Sequence, residues 1–555
     1  MLSYTCGISE TPLLGTTIGD LFDETVAKYP DNEALIVKHQ NIRYTYQQFQ
    51  DKVNECAKAF LAIGIKKGDR VGVWAPNCAE WVTVQFATAK IGAIQVNINP
   101  SYRLHELEYA LNQSGCVCIV TATQFKTSEY TKMLYELAPE LYDCASGQLK
   151  AAKLPNLKTV VRLHSPSSPG MYSWKDFLEF SKQVKADDLK AVQQTLSADD
   201  AINIQYTSGT TGYPKGATLS HHNILNNGYL VASIMRFSDK DRLVIPVPLY
   251  HCFGMVMGNL ACACFGATMI YPSAGFEPAA VLQTVEEEKA TALHGVPTMF
   301  IAQLEHPDFD KYDLRSLRTG IMAGSPCPVE VMKKVNTLMH MNEVEIAYGM
   351  TETSPVSTQT RHNAPRDKRV GTVGRVLPHT EIKIIDPESG QTVPRGEKGE
   401  LCTRGYCVML GYWNDEEKTK DAIDAARWMH TGDLAIMDEE GYLNIVGRIK
   451  DMLIRGGENV YPREIEEFLF QHPKVSDVQV IGVPDKKFGE EVMAWVKLKE
   501  GETCTADEIK DFCKGKITHF KIPRYIKFTE DFPMTVTGKI RKVEMREISI
   551  KELGL

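Results

Sequence analysis

Between residues 57 and 100 the apolar positions switch repeatedly between a helical and a strand period. Residues 70–74 (RVGVW) form a short apolar run stopped by Pro76-Asn77, which predicts a strand. Residues 79–91 carry apolar side chains at helical spacing, and 93–98 read as strand again. Residues 106–111 and 116–120 repeat the alternation. A second series runs from a strand at 243–248, through a buried helix from Met255 to Ala267, to a strand at 267–271. It continues with a helix over 278–289 and a strand over 291–294. Helices alternating with apolar strands predict mostly parallel sheets covered on both faces.

Past Gly374 the runs shorten. Residues 381–385, 399–403 and 442–446 read as short strands between Gly- and Pro-bearing turns, a small β-rich subdomain. After Arg448 the pattern changes once more: 477–483, 492–499 and 525–528 read as strands and 506–514 as a helix. That is the signature of a small α+β domain. Charged and glycine residues cluster at Gly447-Arg448-Ile449-Lys450-Asp451, between the two differently patterned regions. The predicted organisation is an α/β N-terminal domain over 1–447, a hinge at 448–450 and a C-terminal domain over 451–555.

A chain of 555 residues exceeds what one core organises, in keeping with that division. A net charge of -8 gives no reason to propose a nucleic-acid partner. No apolar run comes near the roughly 18 residues of a membrane span. The fourteen cysteines are scattered. Their close pairs, Cys116/Cys118 and Cys262/Cys264, lack zinc-site spacing and sit in apolar segments, so buried free thiols in a reducing compartment are expected. MLSYTCGISETPLLGTT shows neither a basic n-region with an apolar stretch nor an Arg-rich amphipathic pattern. A cytosolic chain, or one that begins after its address, is the reading this leaves. The final KELGL matches no retention or peroxisomal signal.

The candidate chemistry begins at Tyr206–Gly216, YTSGTTGYPKG. Thr207, Ser208, Thr210 and Thr211 supply hydroxyls, Gly209 and Gly212 leave backbone N–H groups open, and Lys215 supplies a cation. Such a loop suits an anion. The spacing is not that of a Walker A loop, because Gly209 and Gly212 are too close and Gly216 follows the lysine. Alternating Ile202, Ile204 and Tyr206 precede it as a strand, and SHHNILNN follows as a helix start. A Ser/Gly linker would explain the glycines but neither the lysine nor the flanking strand.

Four further motifs follow in order. In AYGMTE, Gly349 permits close approach to the backbone, Thr351 offers a hydroxyl and Glu352 a hard oxygen suited to Mg²⁺. WMHTGD puts Asp433 after a glycine turn, where a carboxylate can grip ribose hydroxyls. GRIKDMLIRGGENVYPREIE joins the hinge to a second glycine pair, Gly456-Gly457. PMTVTGK presents Lys539 on a turn. Singly, each has a structural reading: a common turn, a helix-capping acid, a solvated lysine.

In this order and spacing they resemble the adenylate-forming superfamily of acyl-CoA synthetases, firefly-type luciferases and peptide-synthetase adenylation domains, over nearly the whole chain. Within it, INIQYTSGTTGYPKGATLSHHNI, IMAGSPCP, RGYCVMLGYW and CKGKITHFKIPRYI are most similar to the medium-chain fatty acyl-CoA ligases called acyl-CoA synthetase family member two. The resemblance implies an AMP-forming acid–thiol ligase that uses ATP, Mg²⁺ and CoA. By that resemblance Thr207–Lys215 would hold the β- and γ-phosphates, and Tyr348 would stack on adenine with Gly324-Ser325-Pro326 against the base. Thr351 would contact phosphate, Glu352 would ligate Mg²⁺, and Asp433 with Arg448 would hold the ribose. Lys539 would be the adenylation lysine, Lys450 the hinge, and Gly456-Gly457 would line the pantetheine tunnel. Lys450 departs from the Asp that many relatives carry at the hinge.

For the acid, the resemblance points to 248–260 (PLYHCFGMVMGNL), with His251 as gate. The competing reading is a core histidine bonded to backbone. Phe253, Met255, Met257, Met299 and Phe300 supply soft apolar lining, and no basic residue marks a dicarboxylate, which favours a plain fatty acid. Two other readings stay open: adenylation with a different acid or a carrier-protein acceptor, separated by thiol dependence, and an inactive scaffold, which ATP–pyrophosphate exchange would exclude. The similar ligases are mitochondrial, which implies the matrix by resemblance alone.

Overall fold

The computed structural model describes residues 1–163, 168–207, 214–456, 458–535 and 539–555. Two large sheets form the body. One has eight strands and the other nine, each mostly parallel in its centre, with antiparallel strands at one edge of the first and at both edges of the second. In the first, Ile94–Asn97 lies parallel to Arg70–Trp74 on one side and to Ala201–Thr207 on the other. In the second, Thr319–Ala323 runs parallel to Glu343–Gly349. Every position of the strands Ile94–Asn97 and Thr319–Ala323 is buried, as sheets covered on both faces require.

The apolar helix Ala79–Ile91 is buried all round rather than along one stripe, because it packs between other helices and the sheet. Phe22, Phe49 and Phe86 meet there at ring separations of 4.7–5.6 Å. The helix expected from Met255 is interrupted: Cys252–Gly254 and Ala261–Phe265 are α-helical, but Met255–Leu260 forms a π-helical turn. Gly228 of the neighbouring helix lets it approach, since a Cβ there would sit 3.0 Å from Leu260.

A third, antiparallel sheet of five strands is the β-rich subdomain. Its edge is the N-terminal strand Tyr4–Cys6, paired with Thr380–Ile385, a contact across the whole large domain that no local pattern announces. The chain leaves this sheet along Leu443–Arg448, makes one 3₁₀ turn at Ile449–Asp451, and enters the fourth sheet at Leu453–Arg455. The fourth sheet is built on Gly489–Leu498, with Val475–Asp485 as the strand at its edge, and owns a separate apolar core around Val478, Val480, Val492 and Ile509.

Among the described residues, polar contacts join this small unit to the large one. Lys398 bonds the Tyr461 hydroxyl and lies 3.7 Å from its ring centre. Arg463 donates to Ile445 O at 2.6 Å, and Ser476 donates to Glu305 at 2.7 Å. Such a junction separates more readily than a continuous core.

Candidate active site

The segment around the Ser/Thr/Gly loop is a hairpin, not a strand running straight into a helix. Ala201–Thr207 pairs antiparallel with Lys215–Ser220, and Lys215 lies opposite Thr207. Residues 215–220 were not expected as a strand, although Ala217 and Leu219 alternate with polar neighbours and are buried. Only then does the helix His221–Ile234 begin, with Ser220 accepting from the Asn223 N–H at 3.1 Å. Of the loop candidates, Thr207 and Lys215 are at the mouth of this hairpin. Ser208, Gly209, Thr210, Thr211 and Gly212 lie outside the described residues.

The strand Glu343–Gly349 brings the next candidates to the same place. Gly349 ends it, and the 3₁₀ turn Thr351–Thr353 buries both Thr351 and Glu352. The Glu352 carboxylate accepts from the Tyr412 hydroxyl at 2.8 Å and from the Thr207 hydroxyl at 3.4 Å, both on Oε1. Oε2 takes no part in either bond. Lys215 Nζ donates to the same Tyr412 oxygen at 3.1 Å. A buried anionic oxygen beside hydroxyls and a lysine matches the chemistry of a Mg²⁺–triphosphate site.

The register of the third sheet sets Asp433 directly opposite Arg448. Asp433 Oδ1 accepts from Arg448 Nε at 3.1 Å and Oδ2 accepts from the Tyr348 hydroxyl at 2.7 Å. Burial raises the Asp433 carboxyl above its usual range, opposed by Arg448 and Tyr348. Burial also drives the Tyr348 phenol well up, so it stays a donor. Glu400 underpins the turn before Asp433: one oxygen accepts from the Gly432 N–H at 3.0 Å and the other meets His430 Nδ1 at 3.0 Å. Across the cleft stands the turn at Gly324, with φ 91°, followed by half-buried Ser325.

Lys539 of the small unit reaches into this cleft. A Cβ placed on Gly324 would lie 3.7 Å from its Cε. Desolvation lowers its ammonium pKa, Arg448 adds to that, and Glu352 and Asp433 oppose it. His251 faces the same lysine: burial, then Lys539, push it down to about 3, so it is neutral at physiological pH. Its Nδ1 accepts from the Phe253 N–H at 3.2 Å, capping the short helix that follows. His251 is thus a backbone-bonded ring beside Lys539.

Phe253 is buried against His294 at 5.3 Å between ring centres. Met255 sits among amides instead of alkyl lining. Its Sδ receives N–H groups from Asn97 at 3.1 Å and Gln205 at 3.0 Å. A cavity of about 440 Å³ opens between the two units next to Tyr250 and Met299 on one side and Met534 and Thr535 on the other. Lys450 is exposed on the turn joining the units. Gly456, φ 61°, begins the hairpin turn between Leu453–Arg455 and Glu458–Val460; Gly457 lies outside the described residues.

Sequence reasoning missed Tyr412 and Glu400. Both lie in stretches with recognisable form, LGYW and KGEL, but a tyrosine after glycine or an acid in a strand carries no local sign of its partner.

Residues 22–413 match the family "AMP-binding enzyme" and residues 464–539 match "AMP-binding enzyme C-terminal domain". YngI of Bacillus subtilis (strain 168), which carries the name acyl-CoA synthetase, is 54% identical over 98% of this chain and 99% of its own. The Danio rerio medium-chain acyl-CoA ligase ACSF2, mitochondrial, is 49% identical over 100% of this chain and 91% of its own. The crystal structure of the anthranilate CoA ligase AuaEII in complex with anthranoyl-AMP superposes with a TM-score of 0.86 at 27% identity, covering 98% of this chain and 99% of that one. ATP-bound MatB from Rhodopseudomonas palustris superposes at 0.79 with 28% identity, covering 96% and 99%.

Gly349 tests whether the strand end sets the site. A Cβ there would lie 1.8 Å from Pro355 O, so Gly349→Ala must push apart the two backbone segments that carry Tyr348 and Thr351. A displacement of about 1 Å at such a point costs on the order of a hundredfold in rate. Acid-dependent ATP–pyrophosphate exchange should fall by about that factor in a protein that still folds; wild-type exchange would show that the strand end tolerates the shift.

Proposed function

The chain belongs to the AMP-binding enzyme family, and from that premise we propose that it joins a medium-chain fatty acid to CoA through an acyl-adenylate. An AMP-forming acyl-CoA ligase is what the full-length relatives and the paired family matches support. The observation that carries the mechanism is the convergence of Lys539, Glu352, Asp433 and Arg448 on one cleft although they come from two separately folded units.

In the first step a carboxylate oxygen of the acid bonds to the α-phosphorus of ATP and the bond to the β-phosphate oxygen breaks, releasing diphosphate. Two anions must meet, so positive charge is needed where negative charge accumulates. Lys539 supplies it from the small unit, and Lys215 with Thr207 stands at the end of the cleft suited to the leaving phosphates. Tyr348 offers a ring face for adenine, while Asp433 and Arg448 bind the ribose hydroxyls. Glu352 fits Mg²⁺ through a buried carboxylate whose Oε2 is clear of the bonds on Oε1. Bound there, the ion would neutralise the triphosphate and polarise its phosphorus. Neutral His251 borders the acid without repelling or pairing with its carboxylate.

In the second step the CoA sulfur attacks the acyl carbon, the carbon–oxygen bond to AMP breaks, and the thiol proton is lost. Lys539 covers the cleft in the arrangement seen here, so the small unit has to withdraw first. Residues 448–450 are the natural pivot, because the chain passes there by a single turn from the sheet of the large unit to that of the small one. The hairpin at Gly456-Gly457 would then line the pantetheine path. For the compartment, the vertebrate relatives named mitochondrial support the matrix and the bacterial relative supports a cytoplasmic setting.

Fatty acids of about six to twelve carbons should support AMP release with CoA alone, without a carrier protein. If none does, the substrate claim fails. Lys539→Ala should cripple acyl-AMP formation yet make thioester from pre-formed acyl-AMP and CoA at near wild-type rate. Equal loss in both half-reactions, in a folded protein, would sink the two-position mechanism.

A further inference from the structure

Tyr412 joins two charged groups of the site that the sequence treats separately. Its hydroxyl donates to Glu352 Oε1 at 2.8 Å and accepts from Lys215 Nζ at 3.1 Å, while the lysine ammonium also sits 4.3 Å from the centre of the Tyr412 ring. A phenol can donate once and accept at the same time, so it can stand between a cation and a carboxylate and satisfy both.

The backbone fixes Tyr412 tightly. The short strand Gly411–Tyr412 pairs with Lys215–Ser220, with Tyr412 opposite Ala217. Leu410 N donates to Thr218 O at 3.0 Å and Trp413 N donates to Gly216 O at 2.7 Å, on either side of it. The Tyr412 N–H donates to the Thr419 hydroxyl at 2.9 Å. On the other side Met409 N donates to Glu352 O at 2.9 Å, tying the same segment to the turn that carries the acid. The phenol is therefore anchored to both partners through the main chain as well as through its oxygen.

Opposite charges this close, in a part-buried site, would otherwise form a direct ion pair. Such a pair would occupy the carboxylate that a metal needs and the ammonium that a phosphate needs, and both would have to be pulled apart before nucleotide could bind. We propose that Tyr412 is a positioning residue that aims Glu352 at the metal and keeps Lys215 off that carboxylate until the phosphates of ATP arrive. The proposal rests on the reading of Glu352 as the Mg²⁺ ligand. Hydrogen bonds to a ligating carboxylate characteristically govern metal affinity, and their loss weakens it by roughly tenfold to a hundredfold.

Tyr412→Phe removes the hydroxyl and keeps the ring beneath Lys215. Binding of Mn²⁺·ATP to the full-length protein, followed by water-proton relaxation with no fatty acid present, should weaken by roughly tenfold to a hundredfold. Acyl-AMP formation should shift to higher Mg²⁺ by a similar factor and recover at saturating Mg²⁺, which a merely packed or misfolded variant would not do. Glu352→Gln, run alongside, separates the two readings. If Glu352→Gln weakens Mn²⁺·ATP and Tyr412→Phe does not, Tyr412 is packing and the proposal falls alone. If neither variant changes metal binding, the assignment of Glu352 falls and takes the proposal with it. Loss of activity in Tyr412→Phe that saturating Mg²⁺ does not restore also overturns it.

Discussion

The pairing of Asp433 with Arg448 across two adjacent strands is the constraint on which the rest of the site depends. Asp433 is buried at the point where the large unit ends, and Arg448 is the last residue of the strand before the connecting turn. A carboxylate buried there without a partner would take up a proton. With Arg448 on one oxygen and Tyr348 on the other, its negative charge is supported and its direction is fixed. The same pair lies next to the turn Ile449–Asp451 that joins the two units, and Lys539 of the small unit reaches the cleft beside it.

Behind His251 lies a buried string of amides from the first large sheet, the helix Ala79–Ile91 and the π-helical turn, in which Asn97 and Gln205 both donate to Met255 and Asn259 donates to Gln85. Buried polar groups bonded to each other resist repacking more than an apolar layer does, since every shift leaves a donor or acceptor unsatisfied. The π-helical turn Met255–Leu260 is held within that layer. The small unit has its own apolar core and meets the large one through Lys398, Arg463, Ser476 and Lys539, among others.

Much of this was legible in the chain. Alternating strand and helix periods gave the large sheets, and the strands at 477–483, 492–499 and 525–528 lie within or at those observed as Val475–Asp485, Gly489–Leu498 and Tyr525–Phe528. The apolar content of Met255–Leu260 fits an ordinary helix as well as the π turn it forms, and glycine and threonine dilute the alternation of the strand Lys215–Ser220.

The sequence by itself determined which residues are chemically able to act: the lysines, the acids and the glycines that let a ligand approach, each set by side-chain type and neighbours a few positions away. Tertiary structure decided which of them meet. Tyr412 lies 60 residues from Glu352 and 197 from Lys215, yet one oxygen bonds both, because a two-residue strand pairs with the hairpin leaving the Ser/Thr/Gly loop. Period and propensity act over one or two turns of chain, whereas the electrostatics of a cleft depend on contacts between strands that only the packed sheets bring side by side.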